Sequence, residues 1–160
     1  MALNENEFEA LVAELQQKSF DDARAAYGEK GFQRWRSPQF NGPMEDADAS
    51  ACIKGSCGDL IEIFLKFHEN RVEKASYLTN GCGSSALCGS FTAELACGKS
   101  MQEIMTITPS LVLAEIGHFP AADKHCATLA VMALHKALNN YLIQKVPDKK
   151  WQILKKRQAI

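Results

Sequence analysis

Three of the six cysteines stand in sequence contexts that suit a metal-binding thiol. Cys57 lies in a Gly-Ser-Cys-Gly-Asp run, Cys82 is flanked by glycine on both sides, and Cys126 directly follows a histidine. Glycine neighbours let the backbone approach a bulky inorganic centre closely. Thiolate sulfur selects zinc or an iron–sulfur cluster over magnesium or calcium. We therefore expect these three cysteines to act as metal ligands if the fold brings them together.

Asp59 and His125 are the candidates for a fourth ligand position, because each lies beside one of these cysteines. The chain has no Cys-x-x-Cys pair, so the pattern is not that of a zinc finger. A dispersed thiolate set with a carboxylate or imidazole favours an exchangeable site over a structural one. Cys82 and Cys126 also lie near predicted helix N-termini, where the helix dipole favours the thiolate form. The thiolate is the form that binds a metal or attacks sulfur.

A β-hairpin is predicted between the first two of these cysteines. Alternation over 59–68 places Ile61, Ile63, Leu65 and Phe67 on one face, and Glu69-Asn70 suits a tight turn. In the returning strand, 71–79, alternation places Val72 and Leu78 on one face of the sheet and Tyr77 on the other. Residues 49–54 are predicted to add a third strand at the edge.

Helical periodicity marks the remaining elements. An N-terminal helix is predicted over about 4–27, with Phe8, Leu11, Val12 and Leu15 at helical spacing and Gly28 as its C-cap. A loop is expected over 31–50, followed after the hairpin by helices at about 84–96, 100–105, 109–115 and 123–145. Strands followed by helices predict an α+β fold: a small antiparallel sheet of about three strands, covered on one face by helices, with an additional N-terminal helix.

Composition narrows the function classes. The chain has 160 residues, 18 basic and 19 acidic, with a net charge of −1, which argues against nucleic-acid binding. No apolar run approaches the roughly 20 residues of a membrane span, so we expect no membrane association. The acidic N-terminus resembles neither a secretory signal nor a transit peptide, which predicts a cytoplasmic protein with reduced thiols.

Three motifs together resemble the U-type iron–sulfur cluster scaffold family, which includes IscU and the N-terminal domain of NifU. They are SCGD at 56–59, NGCGSSALCGSFTAELACGKS at 80–100 and HCATLAVMALHKAL at 125–138. The run SPQFNG at 37–42 is also similar to the family's Asn-Pro-Arg-Asn-x-Gly signature. The resemblance covers about residues 24–146 and predicts a single scaffold domain over 1–147, followed by a basic tail, 148–160.

The resemblance implies a non-enzymatic scaffold that receives iron and persulfide sulfur, assembles a labile [2Fe–2S] cluster and transfers it to acceptor proteins. Cys57, Cys82 and Cys126 would bind the cluster, His125 would be an alternative ligand or proton carrier, and Asp59 would keep the cluster labile. Cys126, beside His125, would be the candidate acceptor of persulfide sulfur. The implied partners are a cysteine desulfurase, apo iron–sulfur acceptor proteins and an electron donor such as a ferredoxin.

Two alternatives stay open. The same ligands could hold zinc in a sulfurtransferase that serves a cysteine desulfurase, as in the SufU branch, although the insertion associated with that branch is missing between Cys82 and Cys126. A zinc hydrolase is the weaker alternative, because no glutamate lies beside the ligands as a base. The segment 119–126 also departs from the Leu-Pro-Pro-Val-Lys motif that an Hsp70-type chaperone binds in the IscU branch, so we do not expect that partner.

The remaining cysteines and the tail receive simpler interpretations. Cys88 shares a helix stripe with Phe91 and Leu95 and is predicted to be a packed core thiol. Cys97 is expected to be a partly exposed bystander. Cys52 could hold sulfur transiently or pack at a strand edge, and we expect the packing. The tail either is solvated or docks a partner through Trp151 and its basic residues.

Overall fold

A three-stranded antiparallel sheet forms the centre of the fold. The computed structural model describes residues 4–146; the basic tail lies outside them. Strands β1 (Ala49–Lys54), β2 (Leu60–His68) and β3 (Arg71–Thr79) lie side by side in the order β1-β2-β3. The predicted hairpin and third strand are therefore confirmed.

The hairpin turn and one irregularity decide which side chains enter the core. Glu69 and Asn70 both adopt positive φ angles, 49° and 64°, as a two-residue hairpin turn requires. The pairing shifts at Lys66/Phe67, so that Lys66 pairs with Lys74 but Phe67 pairs with Val72. The extra residue, Glu73, reverses the alternation of β3 beyond it.

This bulge corrects one prediction. Tyr77 and Val72 are both buried in the core, each 2% exposed, whereas strict alternation placed Tyr77 on the opposite face. Gly89 of the covering helix makes room for the tyrosine, since a Cβ at that position would lie 2.5 Å from the ring.

Two helices cover one face of the sheet. Helix α2 (Gly83–Ala96) packs mainly on β3, helix α5 (His125–Lys145) packs on β1 and β2, and the two helices contact each other. The core between them is built from aliphatic and aromatic side chains, among them Ile61, Ile63, Leu65, Leu87, Phe91, Leu134 and Leu138. The predicted α+β fold with helices on one face is confirmed.

Shorter helices join α2 to α5. Helix α3 (Met101–Ile104) begins with the capping box of Ser100 and Glu103, and helix α4 (Pro109–Ile116) begins with proline in its first turn. A 3-10 turn, Ala121–Asp123, leads directly into α5. No helix in the described part of the chain is long and apolar enough to cross a membrane.

The N-terminal helix continues beyond the predicted end. Helix α1 runs over Glu5–Arg36 and is broken at Gly28, whose φ of 66° is left-handed. The predicted C-cap is thus a sharp break between two helical halves, and the loop predicted from residue 31 begins only after Arg36. The first half folds back on the second, with the Phe20 ring centroid 5.9 Å from that of Phe32.

The second half anchors α1 to the rest of the fold. Arg34, whose side chain is 10% exposed, donates hydrogen bonds to Ser90 (2.9 Å) and Glu94 (2.8 Å) of α2. Its guanidinium also lies 4.2 Å from the centroid of the Phe91 ring. These contacts fix residues 29–36 against α2.

Candidate metal centre

Asp59, Cys82 and Cys126 meet at one end of the sheet. Asp59 precedes β2, Cys82 follows β3 and is the N-cap of α2, and Cys126 lies in the first turn of α5. One ligand atom from each of these residues lies within 4.8 Å of the others. Three elements separated along the sequence therefore converge on one group of potential ligands.

The Asp59 carboxylate is held in place by two residues around the start of α2. The Ser85 hydroxyl donates a hydrogen bond of 2.6 Å to Asp59 Oδ2. Gly81 lies directly beneath the carboxylate, because a Cβ there would lie 2.7 Å from Asp59 Cγ and 2.8 Å from Ser85 Cβ. Any larger residue at position 81 would displace the carboxylate.

Cys126 is the buried ligand of the group. It is 1% exposed, and burial raises the pKa of its thiol to about 11. The contact with the Ser85 hydroxyl oxygen, 3.4 Å from Cys126 Sγ, opposes this rise in pKa, whereas the nearby Cys82, Asp123 and Cys57 add to it. Burial thus opposes the thiolate form that we predict from the position of Cys126 near a helix N-terminus, because desolvation disfavours the charged sulfur.

His125 is placed to take the proton from Cys126. Its Nδ1 lies 3.1 Å from the Ala122 carbonyl oxygen, which can only accept, so Nδ1 carries the hydrogen. In the neutral ring Nε2 is then free to accept, and it lies 3.7 Å from Cys126 Sγ. The ring is exposed, so a proton on Nε2 has direct access to solvent.

Cys57 lies apart from this group. Its thiol is exposed in the turn that links β1 to β2, and Cys57 is not a member of the set that meets within 4.8 Å. Gly58 has a φ of 91°, and its amide donates to the Gly55 carbonyl oxygen at 3.0 Å. The structure therefore brings together three of the five predicted ligands, with His125 in contact with Cys126 and Cys57 on the adjoining turn.

A hydrogen-bond chain that the sequence did not reveal joins α1 to this region. The Ser84 hydroxyl donates to Asp123 Oδ2 at 2.6 Å and lies 3.1 Å from the Tyr27 hydroxyl. Since a carboxylate can only accept, the direction runs from Tyr27 through Ser84 to Asp123. The chain ties the 3-10 turn before His125 to the N-terminal helix.

Ser84 and Ser85 were missed for a physical reason. Both are fully buried, although serine is usually exposed. The only sequence signal was their place directly after the Gly-Cys-Gly motif, in the first turn of α2.

The donor set suits a soft or borderline metal. Two thiol sulfurs with a carboxylate oxygen match the ligands of zinc or of an iron–sulfur cluster and not those of magnesium or calcium. Cys82 is exposed and Cys126 is buried, so the group is open to solvent on one side only. Such a centre can bind a metal through the protein while leaving one side free for exchange.

The other cysteines lie away from the group. Cys88 is fully buried among the core residues, as predicted, and burial raises the pKa of its thiol. Cys97 is half-buried at the end of α2, as expected for a partly exposed position. Cys52 is exposed on β1 opposite Glu62, which corrects the expectation that it packs.

Comparison with known proteins identifies the family. Residues 26–148 match the NifU-like N-terminal domain family, and the chain belongs to that family. It is 34% identical over 116 residues to an iron–sulfur cluster assembly scaffold protein IscU of Archaeoglobus fulgidus, covering 72% of this chain and 76% of the relative. It is 32% identical over 133 residues to the IscU scaffold protein of Aquifex aeolicus, covering 76% and 85% of the two chains.

Solved structures support the fold. The N-terminal part of a NifU-like protein from Brucella abortus superposes with a TM-score of 0.59 at 17% identity, over 77% of this chain and 98% of that one. A Fervidobacterium islandicum protein, described as a scaffold candidate for the SUF system, gives a TM-score of 0.59 at 22% identity, over 72% and 98%. The arrangement of sheet and helices is thus that of the family.

Proposed function

We propose that this protein is an iron–sulfur cluster assembly scaffold, for which the cluster is cargo and not a permanent cofactor. The observation that carries the proposal is the convergence of Asp59, Cys82 and Cys126 within 4.8 Å in a chain of this family. The relatives from Archaeoglobus and Aquifex are named as scaffold proteins, which supports a carrier role without enzymatic activity.

The mixed ligand set explains how a scaffold releases what it holds. Thiolates from Cys57, Cys82 and Cys126 would bind the irons strongly, whereas the Asp59 oxygen is a harder donor and forms the weakest link. Four cysteines would retain the cluster. We therefore assign to Asp59 the role of keeping a [2Fe–2S] cluster labile.

Cys57 would complete the ligand set from the turn between β1 and β2. Its thiol is exposed and outside the converged group, so binding requires a rearrangement of residues 55–58. Two glycines in this turn make that rearrangement inexpensive, because glycine adopts a wide range of backbone angles. The buried half of the site would therefore bind first and the turn would close over the metal.

Sulfur would reach the site as persulfide. We keep Cys126 as the candidate acceptor, with His125 Nε2 taking its proton, since the two atoms lie 3.7 Å apart. Attack by the Cys126 thiolate on the outer sulfur of a donor persulfide transfers that sulfur and leaves the donor as a thiolate. A cysteine desulfurase is the matching donor, and an electron donor such as a ferredoxin would reduce the sulfane sulfur to sulfide.

The test is anaerobic reconstitution with ferrous iron, cysteine, a cysteine desulfurase and a reductant. The expected result is a coloured protein with two irons and two sulfides per cluster, which transfers the cluster to an apo-acceptor. Asp59→Ala should load equally and transfer more slowly, whereas Asp46→Ala, a surface carboxylate paired with Lys66, should behave as wild type. Failure to form a chromophore with intact fold would contradict the scaffold proposal.

A zinc-dependent sulfurtransferase is the second candidate, because two thiols and a carboxylate also match zinc. The experiment that separates the two is metal analysis of the anaerobically purified protein. A colourless protein with one tightly held zinc that stimulates a desulfurase would favour the sulfurtransferase. Iron and sulfide in equal amounts would favour the scaffold.

A further inference from the structure

The first half of α1 carries an apolar stripe that no described residue covers. The stripe consists of Phe8, Leu11, Val12 and Leu15, which are between 41% and 59% exposed. They are four of the ten large apolar side chains that are exposed in the described part of the chain. A surface helix normally turns such a stripe toward the core, so an uncovered one indicates a docking surface.

The charge around the stripe restricts its partner. Helix residues 5–22 contain six acidic side chains, Glu5, Glu7, Glu9, Glu14, Asp21 and Asp22, against the single Lys18. A second copy of the same helix would bring two strongly acidic surfaces together, which like-charge repulsion disfavours. The complementary partner is a basic segment that also carries large apolar side chains.

The chain itself contains such a segment, at 147–160. Its sequence, PDKKWQILKKRQAI, has five basic residues and one acidic residue, together with Trp151, Ile153 and Leu154. Its net charge is thus opposite to that of residues 5–22, and it carries large apolar side chains that could pack on the stripe.

The segment begins close to the folded domain. It starts directly after Val146, just beyond the end of α5, so an extended chain places Trp151 up to about 17 Å and Leu154 up to about 26 Å from that end. A domain of this size has a radius of gyration of only about 15 Å. Because the segment is tethered, any surface within this reach meets it at an effective concentration in the millimolar range, so a weak intrinsic affinity is enough.

We propose that residues 147–160 bind in cis along the apolar stripe of α1, with Trp151, Ile153 and Leu154 on the stripe and the lysines and arginine beside its acidic flanks. The contact joins the two ends of the chain and covers the stripe in the isolated protein. It is independent of the proposed scaffold function, because none of the metal-site residues takes part.

The experiment measures amide hydrogen exchange in 147–160 of the full-length protein. Leu11→Gln with Leu15→Gln should accelerate exchange in this segment about tenfold or more. The matched control is Met105→Gln with Leu111→Gln, which changes two equally exposed apolar residues elsewhere and should leave the segment unchanged. Equal exchange in the stripe and control variants would overturn the proposal.

A charge swap tests the specificity of the contact. Reversing Lys155, Lys156 and Arg157 to Glu should accelerate exchange in the segment, and so should reversing Glu5, Glu9 and Glu14 to Lys. Combining both sets should restore the slow exchange, because the helix and the segment again carry opposite charges and attract each other. Additive acceleration in the combined variant would overturn the proposal.

Dilution separates a contact within one chain from one between two. Exchange in the segment should be unaffected by about a hundredfold dilution, since an intramolecular contact does not depend on concentration. Loss of protection on dilution would show that a second copy covers the stripe and would overturn the contact in cis.

Discussion

The two sides of the candidate metal centre are built differently. The inner side consists of Asp59, Ser85 and Cys126, which are joined by hydrogen bonds of 2.6 and 3.4 Å through the Ser85 hydroxyl. The outer side consists of Cys57 and Cys82, whose thiols are exposed. The inner side is fixed by the core beneath it, whereas on the outer side the glycine-containing turn of Cys57 can rearrange.

This difference suits a protein that must both hold and release a metal cargo. A fixed inner side determines which metal binds and in what orientation, because its ligands need little reorganisation. An exposed outer side gives a donor or an acceptor protein access to the cluster. We therefore expect changes to the buried Cys126 thiol and its supports to affect affinity most. Changes to Asp59, the weakest donor, or to the exposed thiols should affect exchange.

The largest effect should come from Cys126→Ala. Loss of the buried thiolate should lower zinc affinity by more than about 100-fold. This exceeds the effect expected when only a residue that supports a ligand is lost, which is at most about 100-fold. The measurement is a competition titration with a chromophoric zinc chelator. Cys88→Ala is the control, since Cys88 is equally buried but is not a member of the group of potential ligands.

Both cysteine variants should unfold at similar denaturant concentrations, each less stable than wild type by about 1 kcal/mol. A Cys126→Ala protein that binds zinc as tightly as Cys88→Ala would remove Cys126 from the ligand set.

Gly81→Ala should have the next largest effect. The new methyl group would collide with the Asp59 carboxylate and with Ser85 Cβ, so the inner side must distort. Zinc affinity should fall about 10- to 100-fold, as when a supporting residue is lost. If the same titration gives wild-type affinity, Asp59 does not contribute to binding on the inner side.

The sequence predicted the positions of the three converged residues but not their environment. Asp59 and Cys82 could be assigned because glycine-flanked motifs lie at element boundaries, and Cys126 because it follows a histidine near a predicted helix N-terminus. The hairpin followed from alternation and a turn dipeptide. The raised pKa of Cys126 could not be predicted, because it depends on burial by residues that are distant in sequence. Burial of Ser85 and the bulge at Glu73, which turns Tyr77 inward, likewise depend on tertiary packing.

The pKa of Cys126 leads to a prediction about pH. Its thiol has a pKa of about 11 in the metal-free protein, so zinc must displace a proton from it at neutral pH. Below this pKa each unit of increase in pH should strengthen binding about tenfold for this thiol alone. Zinc affinity measured between about pH 7 and 9 should therefore rise, and Cys126→Ala should reduce the slope by one proton. An unchanged slope would show that Cys126 is already a thiolate.

The smallest effect should separate two neighbouring serines. Ser85→Ala removes the hydroxyl that links Asp59 to Cys126, whereas Ser84→Ala removes an equally buried hydroxyl that links Tyr27 to Asp123. Ser85→Ala should lower zinc affinity about tenfold and shift its pH dependence upward, because the lost hydrogen bond lowers the pKa of Cys126.

Ser84→Ala should change zinc affinity less than about twofold, yet cost about 1 kcal/mol in the free energy of unfolding, because its hydrogen bonds support the fold. Zinc titration and denaturant unfolding of both variants measure the contrast. If the two serines prove interchangeable in zinc affinity, the inner side is held by packing alone and not by the shared hydroxyl. The distinction between the inner side and the outer side would then depend on Gly81 and on the burial of Cys126.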